Sequence, residues 1–546
     1  MQNMKKYIYS IAAFAVCSML TLSSCTNLDE QVYSEVTEES FIPTEQDAAA
    51  LLASAYSPLT YIFDWQGLFD LQEEPGDCVI TPTRPNGWDD GGTYRRMHQH
   101  GWDSEEWQPW NTYLTPYEGI NSANRVLDQV ESGDLPVGDL YDSMVAELRA
   151  IRALWYSILL DTHGNVPLVT KWSDEIPTQA SRQEIYNFVV SELTSVMDNL
   201  SKENDGTTYG RMNYWAAQAC LMRVYLNAEE YVGQAHWQDA LNCANTIINS
   251  GKFSLCPDYR SIFSYDNEGN EEIIFAVPYD RLYSGFHQQH KWYPPKARQS
   301  SLFQPSDYFW GGSCANPQFI NAYEEGDGRL ADTWLMGVQI APADDPEGLG
   351  WECINYLPSL TCFNEAGENH TNINWGYRVW KYAPDPATAN GAWGNDFPYF
   401  RYTEALYTKA ECLLRLGQNE QEAADIVSQV RARSFDDPAK AKVTVDDLKA
   451  NTRIKYGLLD WDNNIVPGTE PTQPVQFGGM YDEWAIEFAC EAQRRIQMIR
   501  FGTYSTYNWF NHDINLYNVK DGHTKIFPIP LEELQTNPNL KQNPGY

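Results

Sequence analysis

Residues 144–160 read MVAELRAIRALWYSILL and carry a large apolar side chain at every third or fourth position. Residues with this spacing fall on one face of a helix, and here that face is apolar enough to be buried. They are Met144, Leu148, Ile151, Trp155 and Ile158. Gly164 follows soon after, as is typical of a helix end. The stretch therefore predicts a long helix packed into a core.

Segments elsewhere in the chain have the same character. Ser181 and Glu184 have capping-box spacing and open a second periodic segment. Two further blocks, 213–250 and 402–433, are helical in pattern and rich in Ala, whose small side chain lets paired helices approach closely. A last helical block is predicted over about 481–501.

The 402–433 block resembles a tetratricopeptide helix hairpin. One helix ends near Gly417, and a second begins after a short turn at Glu420. The chain has no clean 34-residue self-match, so the pattern by itself indicates helix pairs and not a defined repeat array.

The composition is that of a folded, acidic protein. Of 546 residues, 74 are acidic and 38 are basic, so the formal net charge is −36. Hydrophobic residues make up 43% and aromatic residues 14%, which is too apolar for a disordered acidic chain. A surface this negative repels phosphate backbones, so we expect no nucleic-acid partner.

The N-terminus has the layout of an exported lipoprotein. Lys5 and Lys6 precede an apolar stretch, 7–22, which is short for a membrane span and typical of a signal peptide. Leu22-Ser-Ser-Cys25 resembles a lipobox, in which the Cys is acylated and becomes the first mature residue. The sequence predicts a signal peptide over 1–24, lipidation of Cys25 and a tethered soluble body.

Cysteine usage points to core packing more than to chemistry. The chain has no Cys-x-x-Cys pair, which argues against a zinc ribbon or a thioredoxin-like site. Cys353 and Cys362 lie in one loop-like stretch, and whether they pair is open. The cysteines in helical patterns, which we assign to the core, are Cys220, Cys243, Cys412 and Cys490.

Two long segments, 61–117 and about 278–400, lie between the helical blocks and are rich in Gly, Pro, Asn, Asp and aromatic residues. Segments this long are usually functional or disordered, and their aromatic content argues against disorder. Because a rigid scaffold presents its binding groups on loops, we expect these segments to form a binding face.

Short stretches in order along nearly the whole mature length resemble the SusD/RagB family of outer-membrane lipoproteins. They include Cys25-Thr-Asn-Leu-Asp-Glu30, Ile120-Asn-Ser-Ala-Asn-Arg-Val-Leu127, Arg149-Ala-Ile-Arg-Ala-Leu-Trp-Tyr156, Gly164-Asn-Val-Pro-Leu168 and Gln542-Asn-Pro-Gly-Tyr546. One region departs from the family pattern, because Glu483-Trp-Ala-Ile-Glu487 and Arg494-Arg495 stand where a Glu-Arg-Arg-x-Glu-Leu-like run is usual. We expect that difference to affect packing and not the ligand face.

The resemblance implies an all-α fold, in which a tetratricopeptide-like helical-repeat scaffold carries long irregular loops that form a binding face. It implies one lobe over 25–546, with an N-terminal part at about 25–230 and a C-terminal part at about 270–546. It implies a lipid-anchored protein of the outer membrane, exposed at the cell surface. Such a protein captures oligosaccharide or polysaccharide and delivers it to a SusC-like TonB-dependent transporter. The alternative is a helical-repeat lid or interaction protein of the transporter that recognises peptide or another nutrient.

A glycan site needs flat aromatic rings for the C–H faces of sugars and polar groups for their hydroxyls. Pro85-Asn86-Gly87 forms a turn that would push Trp88 outward, which makes Trp88 the first candidate. The alternative is that Trp88 pins its own loop to the scaffold. The predicted glycan-binding residues are Trp88, Asp70, Asp77, Arg84, Asp89, Trp292, Tyr293, Trp310 and Arg378. We assign Trp102, Trp107 and Trp110, which come just before a helix, to the core.

Sequence signals of catalysis are thin. The chain has no Gly-x-Ser-x-Gly elbow, no His-Glu-x-x-His helix and no phosphate loop. A glycosidase needs only two carboxylates, but among 74 acidic residues no pair stands out. His98-x-His100 and His287-x-x-His290 have conceivable metal spacing without a third ligand nearby. We predict a binding protein with no catalytic residue, no metal and no cofactor.

Overall fold

The structure is a computed structural model that describes residues 50–63, 66–84, 87–135, 137–285, 289–293, 309–339, 351–361, 374–385 and 393–546. The predicted signal peptide, Cys25, Pro85, Asn86, His287 and Cys362 lie outside the described residues. Residues Glu45–Tyr546 form one unit by their internal contacts. The predicted division of this unit near residues 230–270 stays a prediction.

Most of the regular structure is helical, as predicted. The longer helices are α1 (Trp107–Ser132), α2 (Tyr141–Thr162), α3 (Arg182–Val196), α4 (Tyr214–Leu226), α5 (Trp237–Asn249), α6 (Tyr402–Leu416), α7 (Glu420–Arg431) and α8 (Gly478–Glu487). Shorter α-helices span Leu59–Ile62, Leu68–Glu73, Thr93–Gln99, Ala228–Val232, Gln289–Trp292, Pro317–Ile320, Arg329–Thr333, Pro438–Ala441, Val445–Lys449, Arg494–Arg500 and Leu531–Thr536. Within the described ranges, no helix is both long enough and apolar enough to cross a bilayer.

Short strands pair within the two irregular segments, at their borders and, in one case, between two stretches of the C-terminal part of the chain. The strands are β1 (Val79–Ile80), β2 (Ile273–Val277), β3 (Cys314–Ala315), β4 (Trp334–Leu335), β5 (Gly337–Gln339), β6 (Trp351–Cys353), β7 (Arg378–Val379), β8 (Phe397–Arg401), β9 (Gly457–Leu458) and β10 (Trp509–Phe510). They form two-stranded sheets: β1 with β3, β2 with β8, β4 with β7 and β5 with β6 are antiparallel, and β9 with β10 is parallel. The β1–β3 pair links the first irregular segment to the second.

The helix at residues 144–160 is confirmed and lies inside α2. Its apolar face packs on α1 and α3. Trp155 comes so close to α1 that a Cβ at Gly119 would lie 2.1 Å from the indole nitrogen, so only glycine fits there. The capping box is confirmed as well, because Glu184 N donates to the Ser181 hydroxyl and Ser181 N donates to the Glu184 carboxylate. These contacts fix the N-terminal helices.

The last helical block is two helices and not one, which corrects the prediction for 481–501. Helix α8 ends at Glu487, and the chain takes left-handed φ values of +63° at Cys490 and +57° at Ala492. The buried ammonium of Lys381 donates to the carbonyls of Glu487 and Ala489 at 3.1 and 2.9 Å. Those carbonyls bind a cation from another segment, which the helical period could not reveal.

The four cysteines assigned to the core, Cys220, Cys243, Cys412 and Cys490, are all buried, and none forms a disulfide.

A buried charge network joins the C-terminal half of the chain. Glu487 binds the guanidinium groups of Arg329, Arg401 and Arg433, and all four side chains are nearly excluded from solvent. Burial alone would raise the pKa of Glu487, but the three guanidinium groups hold it well below its usual range. The region that departs from the family pattern is therefore part of the packing framework, as expected.

Candidate functional site

Trp88 follows a tight turn that leads out of β1. The backbones of Arg84 and Gly87 exchange two hydrogen bonds of 2.7 and 3.0 Å, and Trp88 then adopts a left-handed φ of +70°. Its indole Nε1 donates to the carbonyl oxygen of Trp310 at 3.2 Å. Only 9% of Trp88 is exposed, so most of its ring serves to hold two loops together.

Trp88 belongs to a row of four rings, which we call the aromatic cluster: Trp107, Tyr94, Trp88 and Trp310. Successive ring centroids lie 6.5, 5.7 and 6.4 Å apart. Trp310, at one end, is 39% exposed, and Trp107, at the other end, is half-buried. Gly312 makes room for the row, because a Cβ there would lie 2.5 Å from the Trp88 ring.

Acidic side chains lie beside this row. Asp89 is exposed and accepts a long hydrogen bond of 3.4 Å from the hydroxyl of Thr83. The neighbouring Asp90 is also exposed, and partial burial together with the charge of Asp89 raises the pKa of its carboxyl. The arrangement places exposed hydrogen-bond acceptors next in the chain to Trp88, which belongs to a row of rings whose exposed end is Trp310.

The loop that carries Trp310 is tied to the interior through Lys291. The ammonium of Lys291 donates to the carboxylates of Asp70 and Glu74 at 2.7 and 2.6 Å, and all three side chains are almost fully buried. The backbone carbonyl of Lys291 accepts from the amide of Gly312 at 2.8 Å. Asp70 thus fixes the loop from the inside through Lys291.

Two buried arginines join the loops in a similar way. Arg84 Nη1 and Arg378 Nη1 donate to the same carbonyl, that of Trp375, at 2.8 and 3.0 Å. Arg84 Nε also donates to the carbonyl of Gly312 at 3.1 Å. Burial, reinforced by repulsion from Arg378, lowers the pKa of Arg84 to about 9. The two guanidinium groups therefore act on loop backbone and do not reach solvent.

The other predicted glycan-binding residues, Trp292, Tyr293 and Asp77, are buried in the core. Trp292 is buried and stacks on Tyr382, with ring centroids 5.2 Å apart. Tyr293 is buried beside it and donates its hydroxyl to the carbonyl of Tyr382. Asp77 forms a buried two-point ion pair with Arg494, at 2.6 and 2.9 Å.

Comparison with known proteins identifies the family. The profile of the SusD family matches residues 271–546, just over half of the chain. The chain belongs to the SusD family. A second profile, described as starch-binding associating with outer membrane, matches residues 28–226 of this SusD-family chain.

Named relatives cover nearly the whole length. The starch-binding protein SusD of Bacteroides thetaiotaomicron is 23% identical over 88% of this chain and 85% of that protein. A SusD-like protein of Formosa agariphila is 24% identical, with 100% of this chain and 99% of the relative aligned.

Solved structures share the SusD fold. Surface glycan-binding protein A from Bacteroides uniformis superposes with a TM-score of 0.69 at 20% identity, over 92% of this chain and 100% of that chain. A laminarin-binding SusD-like protein gives 0.68 at 19% identity, with 92% and 100% covered. Surface glycan-binding protein A from Bacteroides thetaiotaomicron, in complex with laminarihexaose, gives 0.66 at 18% identity, with 92% and 99% covered. These similarities confirm the all-α SusD fold.

In this SusD-family chain the predicted site residues fall into two groups. Trp310 and Asp89 are exposed, and Trp88 lies at the boundary of the interior. The others are buried and hold the loops or the core: Asp70, Asp77, Arg84, Trp292, Tyr293 and Arg378. A polar or aromatic residue in an irregular segment can face either way, and sequence position alone does not distinguish the two cases.

The three tryptophans assigned to the core have different environments. Trp102 is buried and donates its indole N–H to the Tyr546 hydroxyl at 2.7 Å, which confirms the prediction. Trp110 lies on the solvent side of α1, so its assignment was wrong. Trp107 is half-buried in the aromatic cluster, and Tyr94 was missed although it follows Gly91 and Gly92 in the aromatic-rich segment.

Of the histidines considered as metal ligands, His98 and His100 are interior, and the side chains of His287 and His290 are not among those that the structure describes. His98 and His100 are both buried, and the Nε2 atom of His100 lies 2.8 Å from the Pro75 carbonyl. Burial lowers the pKa of each imidazole to about 3. Among the described residues no group of three His, Cys, Asp or Glu side chains is arranged to hold a metal ion.

Proposed function

We propose that the chain binds neutral oligosaccharide or polysaccharide at the cell surface, with Trp310 as its principal ring contact. The observation that carries this proposal is the environment of Trp310. Its ring is exposed at the end of an otherwise largely buried aromatic row, and its carbonyl is held by the indole of Trp88. A platform fixed in this way loses little conformational freedom when a sugar stacks on it.

The roles of the other residues follow from their positions. Asp89 accepts hydrogen bonds from sugar hydroxyls beside the rings, and Trp88 contributes its accessible portion. Asp70, Arg84 and Arg378 act as positioning residues, because each holds loop backbone from the interior. Several such contacts together give micromolar affinity, or about −8 kcal/mol.

Relatives and electrostatics support this ligand class. One solved relative binds laminarin and another is a complex with laminarihexaose, both neutral glucans. A net charge of −36 disfavours sulfated or uronic-acid chains at the same surface.

The cellular setting belongs to the same proposal. Cys25 carries the lipid anchor, the body lies on the outer face of the outer membrane, and the captured glycan passes to a SusC-like TonB-dependent transporter. The second family profile, with its description as associating with outer membrane, supports the location. No covalent bond is broken in this mechanism.

Titration against a panel of neutral polysaccharides tests the proposal. At least one member should bind with micromolar affinity without release of reducing ends. Trp310→Ala should weaken that binding about tenfold, equivalent to about 1.4 kcal/mol, because it removes the exposed stacking surface.

Trp172→Ala is the matched control, since Trp172 is also an exposed indole but lies outside the aromatic cluster. Equal losses in the two variants, or steady formation of reducing ends, would refute the proposal. Binding of a peptide, with no binding of any sugar in the panel, would favour the interaction protein instead.

A further inference from the structure

A second groove lies on the helical scaffold, away from the aromatic cluster. It has a volume of about 660 Å³ and runs between α3, the end of α4 and the turn that begins α5. That volume is in the range of small-molecule sites. None of its lining residues belongs to the aromatic cluster.

Three aromatic rings form one part of its wall. The imidazole of His236 stacks on Tyr225, with centroids 5.8 Å apart and an interplanar angle of 26°. The ring of Tyr186 lies 5.9 Å from the same imidazole. Tyr225 and His236 are both half-buried, so their rings are partly accessible from the groove. The rings of Tyr225 and His236 therefore offer a flat surface in a groove whose other lining residues are mostly polar.

The hydroxyl of Tyr186 has an unmet hydrogen-bonding requirement. Tyr186 is only 5% exposed, and its hydroxyl oxygen is buried without a hydrogen-bond partner among the described residues. Buried hydroxyls are normally paired, so the hydroxyl of Tyr186 gains a hydrogen bond if a ligand group in the groove displaces the side chains that cover it. A sugar hydroxyl can both donate to and accept from it.

The rest of the lining is neutral and polar. Gln183, Asn187 and Ser191 recur every fourth residue along the exposed face of α3. The only lining side chains that can carry charge near neutral pH are those of His236 and Asp239, which pair with each other at 2.8 Å.

Amides, hydroxyls and flat rings without a net cation match an uncharged sugar better than an anion. A helical peptide would need a row of aliphatic contacts, and here only Val190 and Val232 are aliphatic. We infer that this groove is a second carbohydrate site, which binds neutral sugar units independently of the aromatic cluster.

Isothermal titration of single and double variants tests the inference. The probes are neutral hexasaccharides of glucose, xylose and mannose in their common linkages. In the Trp310→Ala background, the best-binding member of the panel should still bind. Adding Tyr225→Ala should lower that remaining affinity at least tenfold, and adding Tyr186→Phe, which removes only the hydroxyl, should lower it about threefold.

Tyr265→Ala in the same background is the control, because Tyr265 is exposed and lines neither site. It should change the remaining affinity less than twofold. Hydroxyl-radical footprinting gives an independent readout, since saturating sugar should protect Tyr225 and His236 from oxidation while Tyr265 stays reactive.

The outcomes separate this inference from the proposed function. Loss of all binding in Trp310→Ala, with Tyr225→Ala equal to wild type, overturns the second site and leaves the proposed function standing. Loss in Tyr225→Ala alone supports the groove and contradicts the role of Trp310. Failure of every sugar to bind wild type, or Tyr225-dependent binding of uncharged decapeptides in place of sugar, overturns the inference.

Discussion

The charge network around Glu487 and the aromatic cluster around Trp310 are built by opposite means. In the network, charged side chains from distant parts of the chain meet in the interior, as the ion pairs of Glu487 with Arg329 and Arg401 illustrate. In the cluster, uncharged rings form a largely buried row that reaches the surface at Trp310, whose backbone carbonyl accepts from the indole of Trp88.

The difference separates stability from binding. Buried charges must keep their partners, because an uncompensated charge in the interior is very unfavourable. They therefore fix the relative placement of segments but tolerate little change. Exposed rings contribute little to folding and remain available to a ligand. Lys291 connects the two designs, since its buried ammonium holds the loop whose exposed ring is Trp310.

The largest effect expected from this contrast is on protein stability, when the buried charge network around Glu487 is changed. Glu487→Gln should lower the free energy of unfolding by about 3–5 kcal/mol, because it leaves three buried guanidinium groups short of a counter-charge. Urea denaturation measures the change. Glu420→Gln, which breaks the exposed pair with Lys449, should cost no more than about 1 kcal/mol. Similar losses in both variants would contradict the contrast.

Gly312→Ala tests the boundary between the two regions. The added Cβ would meet the Trp88 ring, so the indole must move and the carbonyl of Trp310 loses its donor. We expect a stability loss of up to about 3 kcal/mol together with weaker sugar binding, measured by thermal unfolding and titration. The control is Gly206→Ala, because no atom lies within 4 Å of a Cβ there. Unchanged sugar affinity in the first variant would show that Trp88 does not position the site.

Acid should destabilise the interior through its histidines. Burial lowers the pKa of His98 to about 3, from 6.5 in the unfolded chain, so the unfolded state takes up the proton first as the pH falls. The free energy of unfolding therefore falls between pH 6.5 and pH 3. By pH 5 the His98 imidazole alone accounts for a loss of about 2 kcal/mol. Burial raises the pKa of Glu73 to about 7 and that of Asp482 to about 6. The folded state takes up these two protons first as the pH falls, so both carboxyls oppose the loss caused by His98.

The contribution of His98 is therefore measured by difference. Between pH 7 and pH 5, the free energy of unfolding of His98→Leu should fall by about 2 kcal/mol less than that of wild type. Parallel pH profiles for the two proteins would show that His98 is not a neutral buried group.

The smallest effect belongs to the exposed edge of the site. Asp89→Ala should weaken sugar binding by about 0.5–1.5 kcal/mol, the net contribution of an ordinary hydrogen bond, and should leave thermal stability unchanged. Asp425→Ala removes an exposed carboxylate on α7 and serves as the control for charge alone. If both variants bind alike, Asp89 is not a sugar contact.

Local signals in the sequence predicted the helical scaffold well. The apolar period of 144–160, the Ser181 capping box and the glycine stop at Gly417 each depend on neighbours within a few residues, and each is present in the structure. The break after α8 was not predictable from the local pattern, because the carbonyls there bind Lys381, a residue about a hundred positions away.

The candidate site was assigned to a region of the sequence and to particular residues within it. Of those residues, Trp310 and Asp89 are exposed in the structure and Trp88 lies at the boundary of the interior. The sequence pattern alone could not separate them from Trp292 or Arg378, because a tryptophan between glycines and prolines has the same local pattern whether it is exposed or buried.

The sequence by itself determined the helical periods, the acidic surface and the family. Only the tertiary structure decided which loop residues face solvent, since that depends on contacts between segments hundreds of residues apart, such as Lys291 with Asp70. The physical reason is that a helix is specified by interactions within one turn. A surface ring, by contrast, is specified by everything that fills the space behind it.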